Sequence, residues 1–149
     1  MKHLIFTALL FFSLVLAMEA QVTGMWKSTD HIDDTERSIV WIYELNGKLY
    51  GKIEKLLPAA TITHCTGCEG DLKNKSLIGM IILSDLKRSS DDKAVEGKVL
   101  DPSNGKWYSC DIELESQDKL KVTGYIGFPM LGKEMYWNRV VNAGRYFSF

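Results

Sequence analysis

Cys65, Thr66, Gly67 and Cys68 are the residues whose types and spacing come nearest to a chemistry. Two cysteines separated by two residues serve either as the redox pair of thiol–disulfide proteins or as half of a zinc site, because both uses need sulfurs that converge. A redox pair also needs a helix N-terminus to lower one thiol pKa, and Thr61 to Gly70 offers no such element. Zinc takes four ligands, and His31 and His64 are the only histidines beyond His3 near the N-terminus. They are weak candidates that would complete a tetrad with Cys65 and Cys68, yet loop histidines are more often plain solvated residues, and no metal or other cofactor is expected. The third cysteine, Cys110, makes the count odd, so at least one thiol is free, metal-bound or paired outside the chain.

Two disulfide pairings compete. Chain entropy favours a long bridge from Cys65 or Cys68 to Cys110, at about 4 kcal/mol against about 2 kcal/mol for the short loop. Cys110, however, falls among the apolar positions of a strand, where a reduced cysteine packs as a small hydrophobe. The neighbouring pair closes without tertiary rearrangement, so the expected bond joins Cys65 to Cys68. Asp30, Asp33, Asp34 and Glu36 lack the regular ligand spacing of a calcium loop and read as a solvated face. The chain carries no serine nucleophile elbow, phosphate-binding glycine loop or metalloprotease helix motif.

The elements that position these residues are strands. Lys93 to Leu114 is the clearest: two strand-like runs flank Asp101-Pro102-Ser103-Asn104-Gly105, a turn with proline where φ is near −65° and Asn-Gly where positive φ is needed. Tyr108, Cys110, Ile112 and Leu114 alternate with more polar residues, as in a strand half buried against a core. Gly24 to Trp26 opens a short strand, and Ser28 to Glu36 is a polar loop. Arg37 to Leu45 and Lys48 to Leu57 form a hairpin about Asn46-Gly47, ended by Pro58. Residues 58–76 are a long irregular segment of the kind that is usually functional or covers something. Leu77 to Leu83 reads as a buried strand, Ser84 to Asp92 as a polar connection, and Lys119 to Ile126 and Glu134 to Val140 as the last two strands, separated by the apolar turn Gly127 to Gly132.

Eight consecutive strands with short links predict an all-β, single eight-stranded antiparallel up-and-down barrel, with a sandwich as the alternative. Its interior is only just wide enough for side chains or one small ligand. Parity around the barrel gathers the long loops and the apolar turn at one end, a mouth lidded by residues 58–76. Trp41, Tyr43, Tyr108 and Ile112 are the candidate ligand liners. An equal alternative is that they simply fill the barrel.

Lys2 followed by the apolar run Leu4 to Ala17 reads as a secretory signal over residues 1–20, too short for a stable membrane anchor, leaving 21–149 as one exported domain, periplasmic or secreted. A formal net charge of −1 gives no basic surface for nucleic acid or an acidic membrane. Phe147 and Phe149 alternate like an outer-membrane barrel terminus, but the strands lack repeated lipid-facing segments.

Gly24-Met25-Trp26 is similar to the glycine-x-tryptophan signature of lipocalins, and Trp137-Asn138-Arg139 is similar to the segment whose arginine packs on that tryptophan. With NGKLYGKI (46–53), CTGC (65–68), Leu77 to Leu83, GKVLDPSNGKWY (97–108) and LKVTGYIG (120–127), the chain resembles the bacterial family of domain of unknown function 2147. That resemblance implies an exported lipocalin-like barrel in which Trp26 and Arg139 are structural, and it implies no settled activity. The seventh-strand motif of wider lipocalins is absent. The function expected is binding of a small hydrophobic or amphipathic molecule. The alternatives are an envelope thiol–disulfide protein using Cys65 and Cys68, and a filled barrel that serves as an interaction module.

Overall fold

A computed structural model describes residues 20–142 and Gly144; all but the last residue of the expected signal segment 1–20, and the Phe147 and Phe149 tail, lie outside them. Eight antiparallel strands, β1 (Gly24–Thr29), β2 (Glu36–Leu45), β3 (Lys48–Leu56), β4 (Ile81–Ser90), β5 (Lys93–Asp101), β6 (Lys106–Ser116), β7 (Lys119–Tyr125) and β8 (Lys133–Arg139), pair in sequence order. The sheet closes into a barrel because β8 returns to β1, with Trp26 opposite Arg139 and Lys27 opposite Asn138. Closure removes both sheet edges. Asn46 and Gly47 both take positive φ, 52° and 78°, as a tight turn between β2 and β3 requires.

One end of the barrel is packed solid. Ile112 lies opposite Ala94 on β5 and Val122 on β7, and all three are fully buried with Leu49, Leu86 and Leu120. Val22 is buried as well, and its N–H donates to the Asp91 carbonyl in the β4–β5 turn at 3.1 Å, so the segment before β1 plugs that end. Trp26, also fully buried, donates its indole N–H to the Val22 carbonyl at 2.9 Å. The Arg139 guanidinium carbon stands 4.1 Å from the centre of the Trp26 ring and its nitrogens donate to the Gln21, Thr23 and Gln117 carbonyls. One arginine therefore joins β8, the N-terminal plug and the β6–β7 turn.

The fourth strand is not where the apolar run Leu77 to Leu83 suggests. It spans Ile81–Ser90 and takes in most of the segment expected as a polar connection, while Leu77 and Met80 sit in the approach to it. A bulge explains the misreading. Asp85 has φ +58°, and the shift lets Leu83 and Leu86, three residues apart, both point inward, which breaks the two-residue alternation. Beyond Leu86 the side chains turn to solvent and ion partners, such as Lys87 with Glu96 at 2.7 Å. Glu96 makes the matching bulge on β5 with φ +58°, and Gly97 then lies against Leu86, where a Cβ would come within 2.4 Å of the Leu86 Cγ.

Candidate functional site

The other end of the barrel is open. A cavity of about 490 Å³ lies inside it, within the range of small-molecule sites. Its walls are apolar, with Ile53, Leu56, Ile82, Val99 and Met135 among them, and its rim comes from four loops: residues 30–35, 57–80, 102–105 and 126–132. These are the long loops that strand parity assigns to one mouth. Ile32, Ile126, Phe128, Met130 and Leu131 make the rim apolar, Met130 being 93% exposed.

Charge is confined to the rim. Arg37 binds the Asp33 carboxylate at 2.8 Å, lies 3.7 Å from that of Asp30, and donates to the Ala59 carbonyl, so it ties the first loop to the second. The Thr35 N–H and hydroxyl, with Arg37, hold the Asp33 carboxyl below its ordinary pKa. His31 lines the mouth beside Asp30. Deeper in, polar groups are few. The Ser28 and Ser38 hydroxyls lie 2.6 Å apart and both residues face the cavity, as does Trp137, which is 2% exposed.

The second loop is held by covalent and backbone contacts. Cys65 and Cys68 are joined by a disulfide with Cα atoms 5.3 Å apart, and Cys110 is free and buried. The loop folds back through the Cys65 N–H to the Lys75 carbonyl and the Asn74 N–H to the Cys65 carbonyl, at 2.9 and 3.0 Å. It rests directly on the β5–β6 turn: a Cβ on Gly105, whose φ is +72°, would fall 2.1 Å from the Gly67 carbonyl oxygen. Only a glycine lets the two loops touch.

Of the residues expected to line the interior, Tyr108 does so, with its hydroxyl accepting from the Asn104 side-chain amide at 3.0 Å. Ile112 points inward but belongs to the packed half, away from the cavity walls. Trp41 and Tyr43 are on the outer face, a correction to their expected place. Their rings lie 4.6 Å apart, Tyr50 stacks on Tyr43, and the Lys52 ammonium lies over Trp41. Val40 and Ile42 take the inward positions instead. The run Ile39 to Tyr43 is apolar on both faces, so its alternation, which the bulge at Glu54 on the neighbouring β3 leaves unbroken, does not reveal which face is inside.

The zinc tetrad does not assemble, because the disulfide consumes both thiols and His64 is exposed, bonded to the Thr63 hydroxyl at 2.9 Å. Among the described residues no three His, Cys, Asp or Glu side chains converge on a common point, and no helix is long and apolar enough to cross a membrane. Arg37, Ser28, Ser38 and the inward face of Trp137 were not singled out as cavity residues in the sequence. Two small hydroxyls flanking a loop, at inward strand positions, are the signal that would have found the serines.

A closed eight-stranded antiparallel barrel, filled at one end and hollow at the other, is a lipocalin-like architecture. Residues 24–139 match the family described as an uncharacterised protein conserved in bacteria, domain of unknown function 2147, and the chain belongs to that family. Among solved structures, protein HP1028 of Helicobacter pylori, described as belonging to the lipocalin family, superposes with a TM-score of 0.74 at 22% identity, over 85% of this chain and 89% of that one. No curated protein sequence matches.

Proposed function

We propose that this protein is an exported carrier that holds a small apolar or amphipathic molecule in the open half of its barrel. The observation that carries the reading is the cavity of about 490 Å³, apolar in its walls and reached between four loops. Burying a ligand there removes apolar surface from water at roughly 25 cal/mol per Å². The neighbour's description as a lipocalin is in keeping with it. Export rests on the apolar run Leu4 to Ala17 behind Lys2, and the disulfide suits an oxidising compartment.

Thiol–disulfide exchange is less well supported. Cys65 and Cys68 are 0% and 3% exposed, and the element that follows them is a three-residue turn of 3-10 helix, Gly70–Leu72, without the dipole that activates a thiol. The interaction-module reading draws on the exposed apolar rim, and on a filled barrel that the cavity argues against. Native mass spectrometry of protein purified from its own envelope tests the choice. A retained small molecule, released on denaturation, is the expected result; protein of bare chain mass that also fails to enhance a fluorescent naphthylamine probe would reject the carrier.

A further inference from the structure

Two side chains that line the cavity keep a buried polar atom without a hydrogen-bond partner among the described residues, Arg37 Nε at the rim and Trp137 Nε1 on the wall, and only the arginine nitrogen has a counter-charge beside it, the Asp30 carboxylate at 3.7 Å. Trp137 is 2% exposed, lines the cavity, and its indole Nε1–H has no hydrogen-bond partner among the described residues. By contrast, the other buried indole, Trp26, has the Val22 carbonyl at 2.9 Å. A buried donor without an acceptor is a standing penalty that native proteins rarely keep without a use. Trp137 also has polar company. The pairing of Trp26 with Arg139 and Lys27 with Asn138 puts Ser28 in step with Trp137 across the β1–β8 seam, and Ser28 meets Ser38 on its other side. The wall thus carries a short row of two hydroxyls beside the Trp137 ring, whose unpaired N–H lies beneath the wall's surface.

The charged groups that line the cavity, Asp30, His31, Arg37, Asp101 and Lys133, belong to its rim, and none belongs to this row. A carboxylate brought to the row would be buried without a counter-charge, which is strongly unfavourable. A neutral oxygen acceptor would meet no such cost. We propose, building on the carrier reading, that the row is the polar anchor of the cavity and that its ligand is an uncharged amphiphile whose carbonyl-class oxygen accepts from Trp137 Nε1. The Nε1 atom is out of contact with solvent, so reaching it takes a side-chain movement. Met135, two residues along the same strand face and itself a cavity residue, is unbranched and has the rotamer freedom to provide it.

The test uses three probes of one chain length, the methyl ketone undecanone, the hydrocarbon undecane and the anion undecanoate, each competed against a fluorescent naphthylamine. Undecanone should bind wild-type protein about five- to tenfold more tightly than undecane, the factor one net hydrogen bond supplies. Trp137→Phe should abolish that preference, bringing the ratio of undecanone to undecane affinity to about one whatever the change of ring does to both. A ketone preference that survives Trp137→Phe, or undecanoate as the tightest ligand in both proteins, would overturn the anchor while the carrier stands. Failure of the wild type to bind any probe would reject the carrier, and the anchor with it. Should Trp137→Phe not fold, the assigned Trp137 indole N–H resonance of wild-type protein decides: a downfield shift with undecanone and none with undecane is expected, and a resonance that undecanone does not move overturns the proposal.

Discussion

Trp26→Ala removes the side chain that the closed end of the barrel is built on. The ring is fully buried, so the loss of transfer energy and the residual cavity together should cost about 3 to 5 kcal/mol. The change also strips the Val22 carbonyl of its 2.9 Å indole donor and the Arg139 guanidinium of the ring 4.1 Å away. Set against a total stability of about 5 to 15 kcal/mol for a domain, the variant should sit near the edge of folding at room temperature. Urea denaturation followed by circular dichroism measures this, with an unchanged m-value required before the free energies are compared. Arg139→Ala removes three hydrogen bonds to backbone carbonyls as well as the ring contact, so the double variant is needed. The coupling between the two sites should be about 0.5 to 2 kcal/mol. A cost below about 1 kcal/mol for Trp26→Ala, or strictly additive losses, would refute the claim that this pair holds the first strand to the last.

Ile112→Lys should prevent folding, since it buries a charge in the packed half, whereas Tyr108→Lys at the cavity should fold and lose probe binding; circular dichroism beside fluorescence distinguishes the two. Cys110 is walled off by burial, which pushes its thiol pKa far up, so iodoacetamide should modify it only after unfolding, as read by intact mass. Gly105→Ala should force the second loop off the β5–β6 turn, visible as faster hydrogen exchange at residues 65–75 with the strands unchanged. Hydrogen bonds from Thr35 to Asp33 and from Ser84 to Asp85, and the Lys87 partner of Glu96, hold these three carboxyls below their ordinary pKa values. Their stabilisation is therefore complete above the unfolded pKa and is lost as pH falls through the lower folded values, so the urea midpoint should drop below about pH 4, and less steeply in an Asp33→Asn, Asp85→Asn variant.

The hairpins of this barrel are legible in the sequence because their turns are chemical statements. Asn46-Gly47 and Asp101 to Gly105 dictate backbone reversal whatever surrounds them, and both turns form. The mouth follows from them by parity alone. What alternation does not reveal is side-chain direction wherever a bulge intervenes or both faces are apolar. At Asp85 one extra residue brings Leu83 and Leu86 to the same side, which hides half of β4, and on β2 both faces of Ile39 to Tyr43 are apolar, so nothing in the run marks Trp41 and Tyr43 as the outer wall. The cavity residues were harder still to see. Ser28 and Ser38 owe their importance to a cross-strand pairing ten residues apart in the chain, and the unpaired Trp137 nitrogen is a property of everything around it.

Why one half of the barrel fills and the other stays open has a local answer. Eight strands fix a width that large aliphatic and aromatic side chains can just occupy, and toward the closed end Trp26, Leu49, Leu86, Ile112 and Leu120 supply them, with Val22 as the plug. The bulges at Asp85 and Glu96 place Leu86 against Gly97, where the bare backbone accepts its full bulk. Toward the mouth the inward positions include Ser28, Ser38 and Gly124, which occupy little volume, among the larger side chains of the wall. Collapse of the roof into that space is opposed from outside the barrel: the disulfide fixes the turn from Cys65 to Cys68, its glycine seats that turn on Gly105, and Arg37 joins the Ala59 carbonyl to the first loop. The CTGC segment, the residues with the most overtly reactive spacing in the chain, is thereby tied by its own disulfide and by Gly105 to the β5–β6 turn at the mouth.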